Sequence, residues 1–80
     1  MADMTNYPTT GDWRIRINSM EHGVPHVHVE FHDGSRVVVA IETGDVLAGG
    51  VTPARRLNDA RADIAAHAAA YLAEYRRLNP

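Results

Sequence analysis

The sequence predicts an α+β domain, an antiparallel four-stranded meander with a C-terminal helix packed on one face and kinked near Asn58. Three observations carry this. Between Asp12 and Ile41, three short runs alternate apolar and polar residues with a period of two, as half-buried strands do. Turn residues, among them Gly23, Pro25, Asp33-Gly34 and Gly44, separate these runs. From Thr52-Pro53 onward the apolar residues instead recur at spacings of three, four or seven, the stripe of an amphipathic helix. A length of 80 residues leaves room for one such domain.

Residues 1–11 carry Asp, Thr, Asn, Pro and Gly without an apolar period and read as a flexible leader, which leaves 12–80 as the domain. The first strand runs from Asp12 to Ser19, with Trp13, Ile15 and Ile17 on one face and Arg14, Arg16 and Asn18 on the other. A loop through Gly23 and Pro25 delivers the second strand, His26 to Phe31, in which Val27, Val29 and Phe31 oppose His26, His28 and Glu30. Parity then fixes the following hairpin. Only an odd loop, His32-Asp33-Gly34 with Gly34 left-handed, puts Val37, Val39 and Ile41 on the apolar face and sets Glu30 across from Arg36.

The third strand spans Ser35 to Ile41, and after Glu42-Thr43-Gly44 a short fourth, Asp45 to Ala48, ends at Gly49-Gly50. Thr52 is placed to cap a helix that starts at Pro53. Leu57, Ile64, Ala68, Tyr71, Tyr75 and Leu78 form its buried stripe, with His67 partly buried beside it. One straight helix from Pro53 to Leu78 would run about 39 Å, against about 20 Å for six-residue strands. A second start at Asn58-Asp59 resolves the mismatch.

Composition excludes several functions. Hydrophobic residues make up 45% and charged residues 22%, which fits a globular chain rather than a disordered tail. No apolar run is long enough for a membrane span, and no basic, apolar leader marks secretion, so a cytoplasmic location is expected. Cysteine is absent, which removes disulfides and thiolate metal sites. With 8 basic against 10 acidic residues the net charge is -2, and nucleic acid is not the favoured partner.

The unusual feature is four histidines between His22 and His32. His26 and His28, two apart on one strand face, can reach a single metal ion, with His22 or Glu30 as a third ligand and Glu21 or Glu30 as a general base. Arg14, Arg16 and Arg36 share that face and repel a cation, but their planar forks suit a carboxylate or phosphate. The same residues also fit a solvated face in which His22 and His26 buttress the loop by bonding backbone carbonyls.

The run Glu21-His22-Gly23-Val24-Pro25-His26-Val27-His28-Val29 resembles the signature of the domain-of-unknown-function 4160 family, which reads Asp or Glu, His, any residue, Pro, Pro, His, Phe, His, Val. The flanking Ile41-Glu42-Thr43 and Arg55-Arg56 fit as well, and the resemblance spans Trp13 to about Tyr75. The chain departs from the pattern at Val24, Val27 and Asp63. The resemblance implies a small bacterial protein without an assigned activity, one partner of a pair in the style of toxin–antitoxin systems.

The expected function is therefore a non-enzymatic interaction protein that binds a protein partner through its polar sheet face or helix. No cofactor is required for this. Two alternatives stand beside it: a metal-dependent hydrolase or nuclease toxin using a divalent ion at His22, His26 and His28, and an inhibitor carried by a phage or mobile element. A homodimer through an edge strand or the helix surface Ala65 to Ala70 is also expected, because so small a core is marginal.

Overall fold

The computed structural model describes residues 4–8 and 11–80. The fold is α+β, an antiparallel sheet followed by two C-terminal helices, and the sheet has five strands in sequential order, where the sequence reading expected four. They are β1 (Met4–Tyr7), β2 (Trp13–Asn18), β3 (His26–Phe31), β4 (Arg36–Ala40) and β5 (Val46–Gly50). The additional strand comes from the leader. Its inward residues are Thr5 and Tyr7, a pair too polar to signal a strand, and two contacts with the second helix hold it. Tyr7 meets Tyr71 edge-on with ring centroids 4.9 Å apart, and the Thr5 hydroxyl donates to Glu74. Residues 1–3, 9 and 10 of the expected leader lie outside the described residues.

The strands pair in the register that parity requires. Trp13 pairs with Phe31, Ile15 with Val29 and Val27 with Val39, so bulky side chains meet on one face. Glu30 lies opposite Arg36, and the loop between them contains left-handed Gly34. Ile15, Ile17, Val27, Val29, Val37 and Val39 are at most 1% exposed. At about 1.5–3 kcal/mol for each fully buried Val or Ile, this face is the main source of stability.

β5 continues two residues beyond the expected end, through Gly49-Gly50, and a bulge between Val38 and Val39 shifts its register. Gly49, with φ +75°, is what permits the pairing, because a Cβ there would lie 2.1 Å from the Arg36 carbonyl oxygen.

The helical region breaks twice. A 3-10 turn over Ala54–Leu57 leads into α1 (Asn58–Ala66), and α2 (Ala68–Leu78) follows after His67. The break at Asn58 matches the expected kink, but neither Thr52 nor Asn58 caps a helix through its side chain. Leu57 enters α1 already helical and Asn58 has helical dihedrals, so Asn58 is inside the helix rather than at its cap. At the second break the His67 amide and its ring Nδ1 both bond the Asp63 carbonyl, each at 3.0 Å. The ring itself is exposed, contrary to the expected partial burial, because Tyr71 rather than His67 faces the sheet. The bends keep the longest dimension at 35 Å, and both helices pack on β2. Among the described residues, no helix packs on the opposite sheet face where it carries Arg14, Arg16, Glu30 and Arg36, while His26 at the end of β3 is buried against Tyr75 of α2.

Candidate functional site

Two side-chain groups stand out, one on the uncovered face and one where the sheet meets the end of α2. In the first, Glu30 on β3 meets three arginines. Arg14 and Arg16 each bring a guanidinium nitrogen to 3.0 Å from its carboxylate, and Arg36 comes to 3.7 Å. Strand register produces this arrangement, since Arg14 and Arg36 are the cross-strand partners of Glu30 on either side and Arg16 follows Arg14 two residues along β2. The Glu30 side chain is 13% exposed and that of Arg16 19%, whereas Arg14 and Arg36 are 56% and 60% exposed. The Arg16 Nε is buried without a hydrogen-bond partner. These side chains, with Trp13 and Ser35, line an open cleft of about 540 Å³.

In the second group, Glu21, His26 and His28 each place one donor atom within 4.8 Å of the other two. His28 Nε2 lies 2.9 Å from Glu21 Oε1, and His26 Nε2 3.6 Å from Glu21 Oε2. The His26 ring donates its Nδ1 proton to the Val24 carbonyl at 2.8 Å and packs against Tyr75. Backbone bonding by His26 was one of the sequence-based alternatives; here it also aims the opposite nitrogen at Glu21.

Glu21 is placed by its loop. Met20 before it has a left-handed φ of 60°, the Glu21 amide donates to Asn79 Oδ1 at 2.7 Å, and Asn79 Nδ2 donates to the carbonyls of Asn18 and Tyr75. The end of α2 thereby clamps the loop. Burial alone would raise the Glu21 carboxyl pKa, but hydrogen bonds from His28 and Asn18 and the charge of the two histidines outweigh it and lower the pKa. Burial, and then the Glu21 charge, raises the Tyr75 hydroxyl.

The sequence-derived candidates are thus sorted by geometry. His26 and His28 do converge, but the third group beside them is Glu21. The expected third ligands were His22, which is exposed in the loop, and Glu30, which is held by arginines. Adjacent side chains diverge, so Glu21 turning inward sends His22 outward. The signal for Glu21 was in the motif, as its first, acidic position. Arg14, Arg16 and Arg36 gather as expected.

Arg56 was not foreseen as a clasp. It bonds Asp12 and Asp33 and lies over the Phe31 ring, 5.2 Å from its centroid, tying the 3-10 turn to the start of β2 and to the β3–β4 turn. Its hydrogen bond is the main reason the Asp33 carboxyl lies well below the usual range.

Fold and site together define a small α+β protein with a helix-backed meander and a polar, histidine- and arginine-bearing sheet face. The chain belongs to the family described as Domain of unknown function (DUF4160), whose model matches residues 12–76. No curated protein and no solved structure matches the chain significantly. Among the described residues, no helix is long and apolar enough to cross a membrane.

Proposed function

We propose that this chain is a non-enzymatic binding protein whose uncovered sheet face receives an acidic group of a protein partner. The observation that carries the reading is the cleft at Glu30, where three guanidinium groups surround one carboxylate in a chain of net charge -2. A carboxylate arriving beside Glu30 finds the exposed forks of Arg14 and Arg36, while half-buried Arg16 keeps Glu30 in place. Glu30 is poorly placed as a general base, because both of its carboxylate oxygens are already engaged by arginines and neither is left free to receive a proton from a substrate or water. That favours binding over hydrolysis. The family resemblance supports a partner from the same small regulatory pair, of the toxin–antitoxin kind.

The test is a calorimetric titration of the untagged chain with a short glutamate-rich peptide at low and high salt. Arg14→Ala and Arg36→Ala should each weaken binding about three- to tenfold at low salt, and the difference should shrink in 0.5 M salt, as about 3–10 Å screening lengths require for exposed charges. Binding that is indifferent to both substitutions would sink the proposal. Self-association belongs to the same reading: β5 leaves a sheet edge unpaired, with Val46 and Leu47 nearly half exposed beside it. Sedimentation at high micromolar concentration should show a dimer, and a monomer there would remove that part.

A further inference from the structure

We infer that Glu21, His26 and His28 form a binding site for a divalent cation of the zinc class, separate from the arginine cleft. The tautomer of His26 is fixed by its backbone bond. Carbonyl oxygens only accept, so the 2.8 Å bond between His26 Nδ1 and the Val24 carbonyl requires the ring proton on Nδ1. In the neutral ring the Nε2 lone pair then faces Glu21 Oε2 at 3.6 Å, lone pair toward carboxylate. A metal cation between the two atoms meets a lone pair on one side and a carboxylate on the other, two attractive contacts. Metal-bound histidines characteristically have this support, one ring nitrogen on the metal and the other N–H held by a carbonyl.

The dimensions agree. With bonds of about 2.0–2.1 Å to nitrogen and oxygen, neighbouring ligands on a tetrahedral zinc ion lie about 3.3–3.4 Å apart. The two contacts to Glu21 measure 2.9 and 3.6 Å, and all three donor atoms fall within 4.8 Å of one another. Transfer of the His28 ring proton from Nε2, where it now bonds Glu21, to Nδ1, together with small side-chain shifts, completes a three-ligand site with one open position. The donor set, two imidazoles and a carboxylate, suits zinc and its transition-metal neighbours rather than magnesium or calcium, which prefer oxygen.

Glu21 is held for the purpose from both sides. Asn18 Nδ2 donates to its Oε1 at 3.3 Å, and Met20 occupies a left-handed conformation that residues with a side chain rarely adopt. Strain of this kind gathers where a side chain must be presented at a fixed angle. His28 is the less supported ligand, since its Nδ1 is buried without a partner. Affinity about 10- to 100-fold below that of a fully braced site follows. Arg16, the cross-strand partner of His28, is already engaged by Glu30.

The experiment is calorimetry of the full untagged chain, stripped by chelator and titrated with zinc chloride, alongside cobalt(II) absorption as a geometric readout. One ion per chain is expected, with an intense visible cobalt band of tetrahedral type. Glu21→Gln and His28→Ala should each lower zinc affinity at least tenfold, whereas His22→Ala should change it less than threefold. Glu21→Gln is the decisive variant, because it lies in a loop and keeps the side-chain shape, so circular dichroism can show the fold intact. Absence of stoichiometric uptake by the wild type, uptake unchanged by Glu21→Gln, or uptake lost in His22→Ala would each overturn the assignment. None of these outcomes bears on peptide binding at the arginine cleft.

Discussion

Glu30 makes three ion pairs of nearly equal kind, yet their energies should differ severalfold, and burial is the reason. At about 4 Å, two unit charges attract by about 4 kcal/mol in a medium of effective dielectric 20 and by about 1 kcal/mol in water. Arg16, at 19% exposure and 3.0 Å from a carboxylate that is 13% exposed, lies toward the first limit. Arg14 and Arg36, more than half exposed, lie toward the second. Desolvation reduces the Arg16 pair and side-chain ordering reduces all three. The expected coupling energies are about 1.5–3 kcal/mol for Arg16 with Glu30, below about 1 kcal/mol for Arg14, and about 0.5 kcal/mol or less for Arg36. Double-mutant cycles with Glu30→Gln and each Arg→Ala, followed by urea unfolding at constant m-value, measure these directly. At about 0.05–0.15 kcal/mol per residue the whole fold is worth about 4–12 kcal/mol, so the Arg16 cycle should be plainly visible. Raising salt from 0.05 to 0.5 M should erode the Arg14 and Arg36 couplings and leave most of the Arg16 coupling. Equal couplings for all three, or an Arg16 value under about 0.5 kcal/mol, would refute the division into one structural and two available arginines.

Three further outcomes are expected. Gly49→Ala should destabilise by about 2–3 kcal/mol, combining the left-handed backbone cost with a lost ladder bond, while Gly50→Ala, with open space at its Cβ, should change stability by less than about 0.5 kcal/mol; thermal melts of the pair decide it. Hydrogen bonds from Arg77 and then Thr5 hold the Glu74 carboxyl at about 2, down from 4.5, so its stabilising effect is complete above 4.5 and is lost as pH falls through about 2. The Thr5 amide on β1 should therefore exchange faster as pH falls over that window, after correction for intrinsic rates, and Glu74→Gln should flatten the dependence. Met20→Gly should raise the urea midpoint, a gain of about 0.5–1 kcal/mol, because Met20 is 80% exposed and loses no packing when its left-handed strain is removed; an unchanged or lower midpoint would show that φ is not strained there.

Legibility in the sequence followed the reach of the physical rule behind each element. Period-two alternation fixed β2, β3 and β4 to within a residue at each end, since a slipped register would have exposed Ile15, Val29 and Val37 together. It failed for β1, whose inward pair is Thr5 and Tyr7. What orders that strand is contact with Glu74 and Tyr71, some 65 residues downstream, which no local pattern encodes. Capping failed for a related reason. Thr52 and Asn58 have the right chemistry, but a cap also needs an extended backbone ahead of a free amide, and the 3-10 turn fills the place where that boundary would fall.

The same distinction explains which parts of the site were foreseen. Arg14, Arg16, His26, His28, Glu30 and Arg36 all lie on strands, where parity alone assigns a face and pairing alone assigns neighbours. Glu21 lies in a loop, and its direction depends on one dihedral, the left-handed φ of Met20. Left-handed residues are ordinarily announced by glycine, and the loop does contain Gly23 with φ +87°, which draws attention to the wrong position. A methionine held at φ 60° carries no such signal. It is held there by partners distant in sequence, since the Glu21 amide is bound by Asn79, which in turn binds Asn18 and Tyr75. The orientation of Glu21 is therefore a property of the closed fold, and a substitution at Asn79 should disturb the histidine cluster from the far end of the chain.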